Sequence, residues 1–254
     1  MPPTHVETPD APAKDMSITV GWNTAQSVGI TREEMDAWAS RSHQRAVAAQ
    51  DAGKFADEIL PLKITQFDGS VTEFAVDEHP RRDTTVEKLA GLKVLHPEIE
   101  GFSITAGNSS GTNDAAAAVA LVGADYAAAE GLHVMGKVRA WAAAGVAPRD
   151  CGLGAVKVIG KVLQRAGLVP GDVTLWEINE AFASVPIAAC REYGLDEEKV
   201  NFSGSGCSLG HPIAASGARM VTTLTYELMR RGGGIGVAAM CAGGGQGGAV
   251  VIEV

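Results

Sequence analysis

Two residues in the C-terminal third of the chain could move protons. His211 lies in Gly210-His211-Pro212, and Cys241 opens Cys241-Ala242-Gly243-Gly244-Gly245 thirty positions later. Glycines beside each would let a substrate approach the backbone closely. An imidazole and a thiol both exchange protons near neutral pH. His211 precedes a predicted helix start, where the positive end of the helix dipole keeps an imidazole neutral and able to act as a base. The same position also suits a surface or capping histidine. Cys241 ends an apolar run, so its thiol could serve as an acid or base with neighbouring glycine amides as oxyanion donors; a small core residue before a hairpin turn reads equally well. Asn179, in Asn179-Glu180-Ala181-Phe182-Ala183, falls where a strand gives way to a helix. Strand ends of this kind bind ligands in α/β sheets, and an amide there holds a water or a carbonyl, or caps the helix. No third motif reads as an activated nucleophile for the pair to serve.

The elements that must hold these residues are legible around them. Thr31-Arg32-Glu33-Glu34 has the pattern of a capping box and opens a helix running to about Gly53. Residues 59–76 read as two short strands about Asp68-Gly69, and a short helix is expected near Thr85–Leu92. Thr112–Glu130 is Ala-rich and predicts a buried helix. From His133 a β/α alternation is expected: a strand near 134–144, a helix near 153–166 stopped by Gly167, a strand at 173–178 and a helix near 180–193. A Gly/Ser loop at 203–211, a helix over 213–231 and two strands, Ile235–Met240 and Ala249–Glu253, complete it. This order argues for an α/β layered domain. The loop before the long helix, Gly204-Ser205-Gly206-Cys207-Ser208-Leu209, fails as a dinucleotide fingerprint because Leu209 stands where the third glycine is needed.

Composition narrows the classes. With 46% hydrophobic residues an ordinary globular core is expected, and a net charge of −9 argues against nucleic acid or an anionic membrane as the main partner. No apolar stretch approaches the ~20 residues of a membrane span, and the Pro-rich lead-in over residues 1–15 lacks the pattern of a secretory signal. The four cysteines, at 151, 190, 207 and 241, form no C-x-x-C pair, so neither a disulfide scaffold nor a zinc site is expected. Free thiols in a cytoplasmic protein are the expectation, with Cys151, Cys190 and Cys207 structural. His5, His43, His79, His96 and His133 lack a ligand-like spacing and read as surface residues.

Taken together, Asn179-Glu180-Ala181-Phe182-Ala183, Gly210-His211-Pro212 followed by Ala215-Ser216-Gly217-Ala218-Arg219, and Cys241-Ala242-Gly243-Gly244-Gly245 resemble the thiolase family in content and order. The resemblance extends to Thr105-Ala106-Gly107-Asn108-Ser109-Ser110-Gly111-Thr112-Asn113-Asp114, which looks like the family's coenzyme A loop, and to the basic segment Pro80-Arg81-Arg82-Asp83-Thr84-Thr85. It implies a thiolase-like layered β/α domain over 134–254, preceded by a loop-rich α+β insertion domain over 1–104 that binds coenzyme A. Residues 105–133 would be the residual end of a first β/α domain.

The implied activity is acyl transfer between coenzyme A thioesters, with C–C bond cleavage or formation. Coenzyme A is substrate and product, and no permanently bound cofactor or metal is implied. On that pattern His211 would activate the nucleophilic thiol and bind the thioester oxygen, and Cys241 would exchange the proton at the substrate α-carbon. Asn179 would hold a water of one oxyanion site, and the Gly243 amide would line the second. Ser110 would meet the pantetheine arm and Arg81 the nucleotide end.

The family's acyl-accepting cysteine belongs to the first β/α domain, and none of the four cysteines here matches it. The resemblance therefore implies one subunit of a split enzyme whose partner chain supplies the nucleophile, or a truncated form, with a homo-oligomer as the family's usual assembly. Apolar surface and an unpaired strand edge are expected around 106–133. Met16-Ser17-Ile18 replaces the family's His-Met-Gly, and Asn201-Phe202-Ser203-Gly204-Ser205 replaces its Asn-x-Asn-Gly-Gly, which leaves the acyl-chain length open. The alternative is a non-catalytic relative that binds acyl-CoA or lipid.

Overall fold

The computed structural model describes residues 3–254; the first two residues of the Pro-rich lead-in lie outside them. A π-helical turn over Ser17–Trp22, for which the sequence offered no signal, runs into α1 (Asn23–Val28) and then α2 (Arg32–Asp51). The capping box forms as predicted: Thr31 Oγ1 accepts the Glu34 N–H, and the Glu34 carboxylate accepts the Thr31 N–H. α2 turns Met35, Trp38, Ala39 and Ala46 into the core. The next two strands, β1 (Leu62–Thr65) and β2 (Val71–Phe74), form an antiparallel hairpin about Asp68-Gly69, exposed along both strands. α3 (Val86–Ala90) follows, with Thr85 as its cap.

The Ala-rich stretch departs from expectation. Residues 112–123 carry no regular structure and are almost all exposed; only α4 (Ala124–Ala129) is helical. Alanine favours helix intrinsically, but a run this short gains its stability from an apolar face packed on something. Nothing among the described residues covers Val119, Leu121 or Val122, which are 42%, 76% and 51% exposed.

The β/α alternation then forms with shifted bounds: β3 (Lys137–Gly145), α5 (Leu153–Ala166), β4 (Leu175–Ile178), α6 (Ser184–Tyr193), a short α7 (Gly206–Leu209) inside the expected loop, α8 (Ser216–Arg230), β5 (Ile235–Ala242) and β6 (Gln246–Glu253). The sheet order is β3-β6-β5-β4, with β4 parallel to β5 and the other pairs antiparallel. Strand periodicity of two sorts the side chains by face. Trp176, Ile178, Val237, Ala239 and Val251 pack with Val158, Ile159 and Val162 of α5 and with α6. Leu175, Ala238 and Ile252 pack with Met220, Leu224 and Leu228 of α8 on the other face. The result is a helix–sheet–helix layering whose β4 and β5 end on the same side. Both chains of evidence in the sequence, apolar strands and amphipathic helices, come from this double-sided burial.

Candidate active site

Asn179 directly follows β4, and its N–H donates to the Ala239 carbonyl of β5 at 3.0 Å, which extends the parallel pairing by one residue. Cys241 lies two residues further along β5. The two side-chain types singled out in the sequence therefore share one end of the sheet. Asn179 is not a helix cap. Residues 179–183 form a connection, α6 begins at Ser184 with Ala183 before it, and the fully buried Asn179 amide points instead at the histidine loop.

His211 arrives on that loop. Its Nε2 is 3.3 Å from Asn179 Nδ2, and its Nδ1 is 2.6 Å from Ser216 Oγ at the start of α8. Gly210, at φ +83°, adopts a conformation that favours glycine, and a Cβ there would collide with Asn113. The His211 N–H donates to the Gly111 carbonyl at 3.4 Å, so the 105–114 loop meets the histidine loop directly. Burial, reinforced by the Arg219 guanidinium, lowers the His211 pKa to about 4. The neutral imidazole expected from the sequence is present, although desolvation rather than the helix dipole is the main cause. Arg219 is held by Glu177 at 2.8 Å and Ser205 at 3.1 Å. Asn179 Oδ1 is buried and has no partner among the described residues.

The Cys241 thiol is buried, and burial, with Cys151 nearby, pushes its pKa up to about 12. Gly243 follows in the β5–β6 turn, where Gly244 and Gly245 at φ +82° and +87° supply the reversal. Ser110 is half-buried, and its N–H donates to Ala181 O at 2.9 Å; Ala183 N–H returns the bond to Asn108 O at 2.9 Å. Ser110 is thus stitched to the Asn179–Ala183 segment. Arg81 is exposed and stands further out. Its backbone N–H donates to His43 Nδ1 at 3.1 Å, and His43 stacks on His79, whose Nδ1 meets the Ser208 carbonyl at 2.7 Å. That chain of contacts carries the Arg81 segment to the histidine loop.

The surface reading of the histidines needs correction. Among the five, His133 alone is exposed; His43 is buried, and His5, His79 and His96 are half-buried. His43 is kept because its lone pair satisfies a turn amide, and burial lowers its pKa to about 4. The structural reading of Cys151, Cys190 and Cys207 agrees with their burial as free thiols. Two site contributors carried no role in the sequence reading. Ser216 was recognisable only as part of a motif, five positions beyond the histidine. Glu180 is fully buried, and its carboxylate accepts from Trp38 Nε1 (2.8 Å), Ser42 Oγ (2.6 Å), Asn201 Nδ2 (2.8 Å) and Cys207 N–H (3.1 Å), clamping α2 and α7 to the end of β4.

Comparison with known proteins finds family matches over most of the chain. Residues 10–125 match the family described as thiolase, N-terminal domain, and residues 132–254 match thiolase, C-terminal domain. The chain is 46% identical over 237 residues to an acetyl-CoA acetyltransferase of Pseudomonas aeruginosa, covering 93% of this chain and 60% of that relative. It is 45% identical over 233 residues to the 3-oxoadipyl-CoA/3-oxo-5,6-dehydrosuberyl-CoA thiolase of Escherichia coli K12, covering 91% and 58%. The crystal structure of the Bacillus anthracis acetyl-CoA acetyltransferase superposes with a TM-score of 0.87 at 44% identity, over 91% of this chain and 58% of that one. Human mitochondrial 3-ketoacyl-CoA thiolase in complex with CoA superposes at 0.82 and 37% identity, over 91% and 57%. The chain spans about three-fifths of the length of these relatives.

Proposed function

The chain belongs to the thiolase family, and from that premise we propose that it is the proton-handling portion of an acyl-CoA C-acyltransferase whose acyl-accepting cysteine is supplied by another polypeptide segment. The observation that carries this reading is the meeting of His211 with Asn179 at the strand end that also bears Cys241. The His211 Nε2 takes the proton of a coenzyme A thiol as its sulfur attacks a thioester carbonyl. Cys241 rests protonated, since burial holds its thiol near 12, and gives its proton to the enolate carbon released when the C–C bond of a 3-ketoacyl thioester breaks. In the reverse direction its thiolate, once formed, is a strong base matched to a weakly acidic α-proton. The unpartnered Asn179 Oδ1 suits a bound water beside the thioester oxygen, and the Gly243 amide lines the second oxyanion position.

The missing nucleophile has its own support. A nucleophilic cysteine needs a depressed pKa, whereas burial raises all four thiols here. Ser110 and Arg81 flank the histidine loop on the side where the 105–114 loop and the 77–81 segment reach it, which suits the pantetheine and nucleotide ends of coenzyme A. Residues 1–104 are then the inserted coenzyme A domain, 105–133 the end of the first domain, and 134–254 the second. Free buried thiols suit a cytoplasmic location, and the uncovered apolar residues of the Ala-rich stretch suit an oligomer or a partner chain.

The deciding experiment measures 3-ketoacyl-CoA cleavage by the assembled enzyme, wild type and Cys241→Ala. Turnover should fall about 10²–10⁴-fold, the range of a lost acid–base group, with acyl-CoA affinity retained. Unchanged turnover would remove Cys241 from the chemistry. An inert wild-type assembly that still binds acyl-CoA would support the non-catalytic binding relative instead.

A further inference from the structure

Ser216 opens α8, and at 1% exposure it makes no contact with solvent that would explain its hydroxyl. Its Oγ is 2.6 Å from His211 Nδ1 and 3.1 Å from the Pro212 carbonyl oxygen. A hydroxyl owns one proton and can donate to only one of these. The opposite ring nitrogen decides which. His211 Nε2 faces the Asn179 Nδ2 at 3.3 Å, and an amide NH₂ only donates. Nε2 therefore carries the lone pair and Nδ1 the proton. The order of donation follows: Nδ1–H to Ser216 Oγ, and the Ser216 hydroxyl to the Pro212 carbonyl. Turning the Asn179 amide over would reverse the order, but it would set an NH₂ where Oδ1 now lies, a buried place with no partner among the described residues. Two orphan donors there are worse than one orphan acceptor, which a single water can serve.

We propose that Ser216 is a positioning residue that holds His211 in its Nδ1–H tautomer, so that Nε2, whose lone pair rests on the Asn179 N–H, is kept as the basic nitrogen of the ring. Its consequence for acyl transfer rests on the function proposed above; the tautomer does not. When Nε2 accepts the thiol proton, the imidazolium formed keeps its Nδ1–H in the bond to Ser216, and no reorientation of the ring is needed. The feature is a short relay of one hydroxyl and one carbonyl, in the place where many catalytic histidines have a carboxylate.

The test is ¹⁵N NMR of the full chain labelled in histidine, with His211 assigned by loss of its signals in His211→Gln. In the wild type, Nδ1 should resonate as the protonated, pyrrole-like nitrogen and Nε2 as the bare, pyridine-like one. In an Asn179→Ala background, where Ser216 alone biases the ring, Ser216→Ala should shift His211 to a mixture of tautomers, and Ser216→Thr, which keeps the hydroxyl, should restore the wild-type pattern. Should the alanine variant not fold, Ser216→Cys, of similar size but a weak acceptor, gives the same comparison. A wild-type His211 protonated at Nε2, or a tautomer unmoved by loss of the hydroxyl in the Asn179→Ala background, overturns the assignment. Because the readout needs no turnover, an inert enzyme with the Nδ1–H tautomer would count against the acyl-transfer reading alone.

Discussion

His211 and His43 are both depressed to about 4 by burial, and both use a ring nitrogen as an acceptor of a neighbouring N–H, His211 from Asn179 and His43 from Arg81. Protonation would cost each of them that bond as well as desolvation of a charge. In the unfolded chain each returns to about 6.5. Between that value and about 4, the unfolded state binds protons that the folded state refuses, so stability is complete above pH 6.5 and falls as the pH drops. The ceiling is about 3 kcal/mol for each histidine. His96 acts with the opposite sign: bonding to Glu98, with Asp15 adding to it, raises its pKa, so its contribution is present at low pH and lost as pH rises. The informative quantity is therefore a difference. Urea unfolding of wild type and His43→Gln at pH 7 and 4.5 should show the variant losing less stability on acidification, with a pH slope shallower by up to one proton. Equal slopes would mean that His43 titrates normally in the fold.

Sheet edges show how elements are finished. The β4 edge is covered by the Val200–Asn201 segment, whose Asn201 side chain bonds both the N–H and the carbonyl of Ile178 at 2.8 Å. The β3 edge has no strand beside it among the described residues. Three cations spaced one turn apart on α5 cap its outward carbonyls instead: Lys157 to Gly145 O (3.0 Å), Lys161 to Ala143 O (2.7 Å) and Arg165 to Trp141 O (2.6 Å). Charged side chains of this kind keep an open edge from recruiting another strand. Replacing all three by Ala should leave the fold intact, because exposed polar contacts contribute little each, yet raise self-association measured by light scattering. A triple variant that stays as dispersed as wild type would deny the cap that role. α5 itself was legible in the sequence, since its apolar period and terminal Gly167 are local, as was the capping box of α2. The positions of Glu180 and His43 were not legible, because their burial is decided by partners far away in the chain: Trp38 lies 142 residues from Glu180. The Ala-rich stretch misled for the converse reason. Its local preference is helical, but helix formation there needs a surface to pack on.

At the scale of the whole molecule, α8 covers β4 and β5 but leaves an apolar groove of about 280 Å³ lined by Met220, Val221, Met240, Val250 and Ala142. Leu121 and Val122 are exposed as well. Exposed apolar surface beyond scattered single residues usually marks an interaction site. The capped β3 edge carries exposed Trp141, with the Arg165 guanidinium 5.2 Å from its ring centroid, and is finished toward solvent. The two surfaces should therefore behave differently toward the proposed nucleophile-bearing segment. The isolated chain should bind the dye ANS, and Leu121→Glu with Val122→Glu should reduce that binding. In sedimentation velocity the same pair should weaken assembly with the nucleophile-bearing segment, whereas Trp141→Glu should leave it unchanged. The reverse pattern would place the contact on the β3 edge and assign its lysines and arginine to recognition rather than to protection.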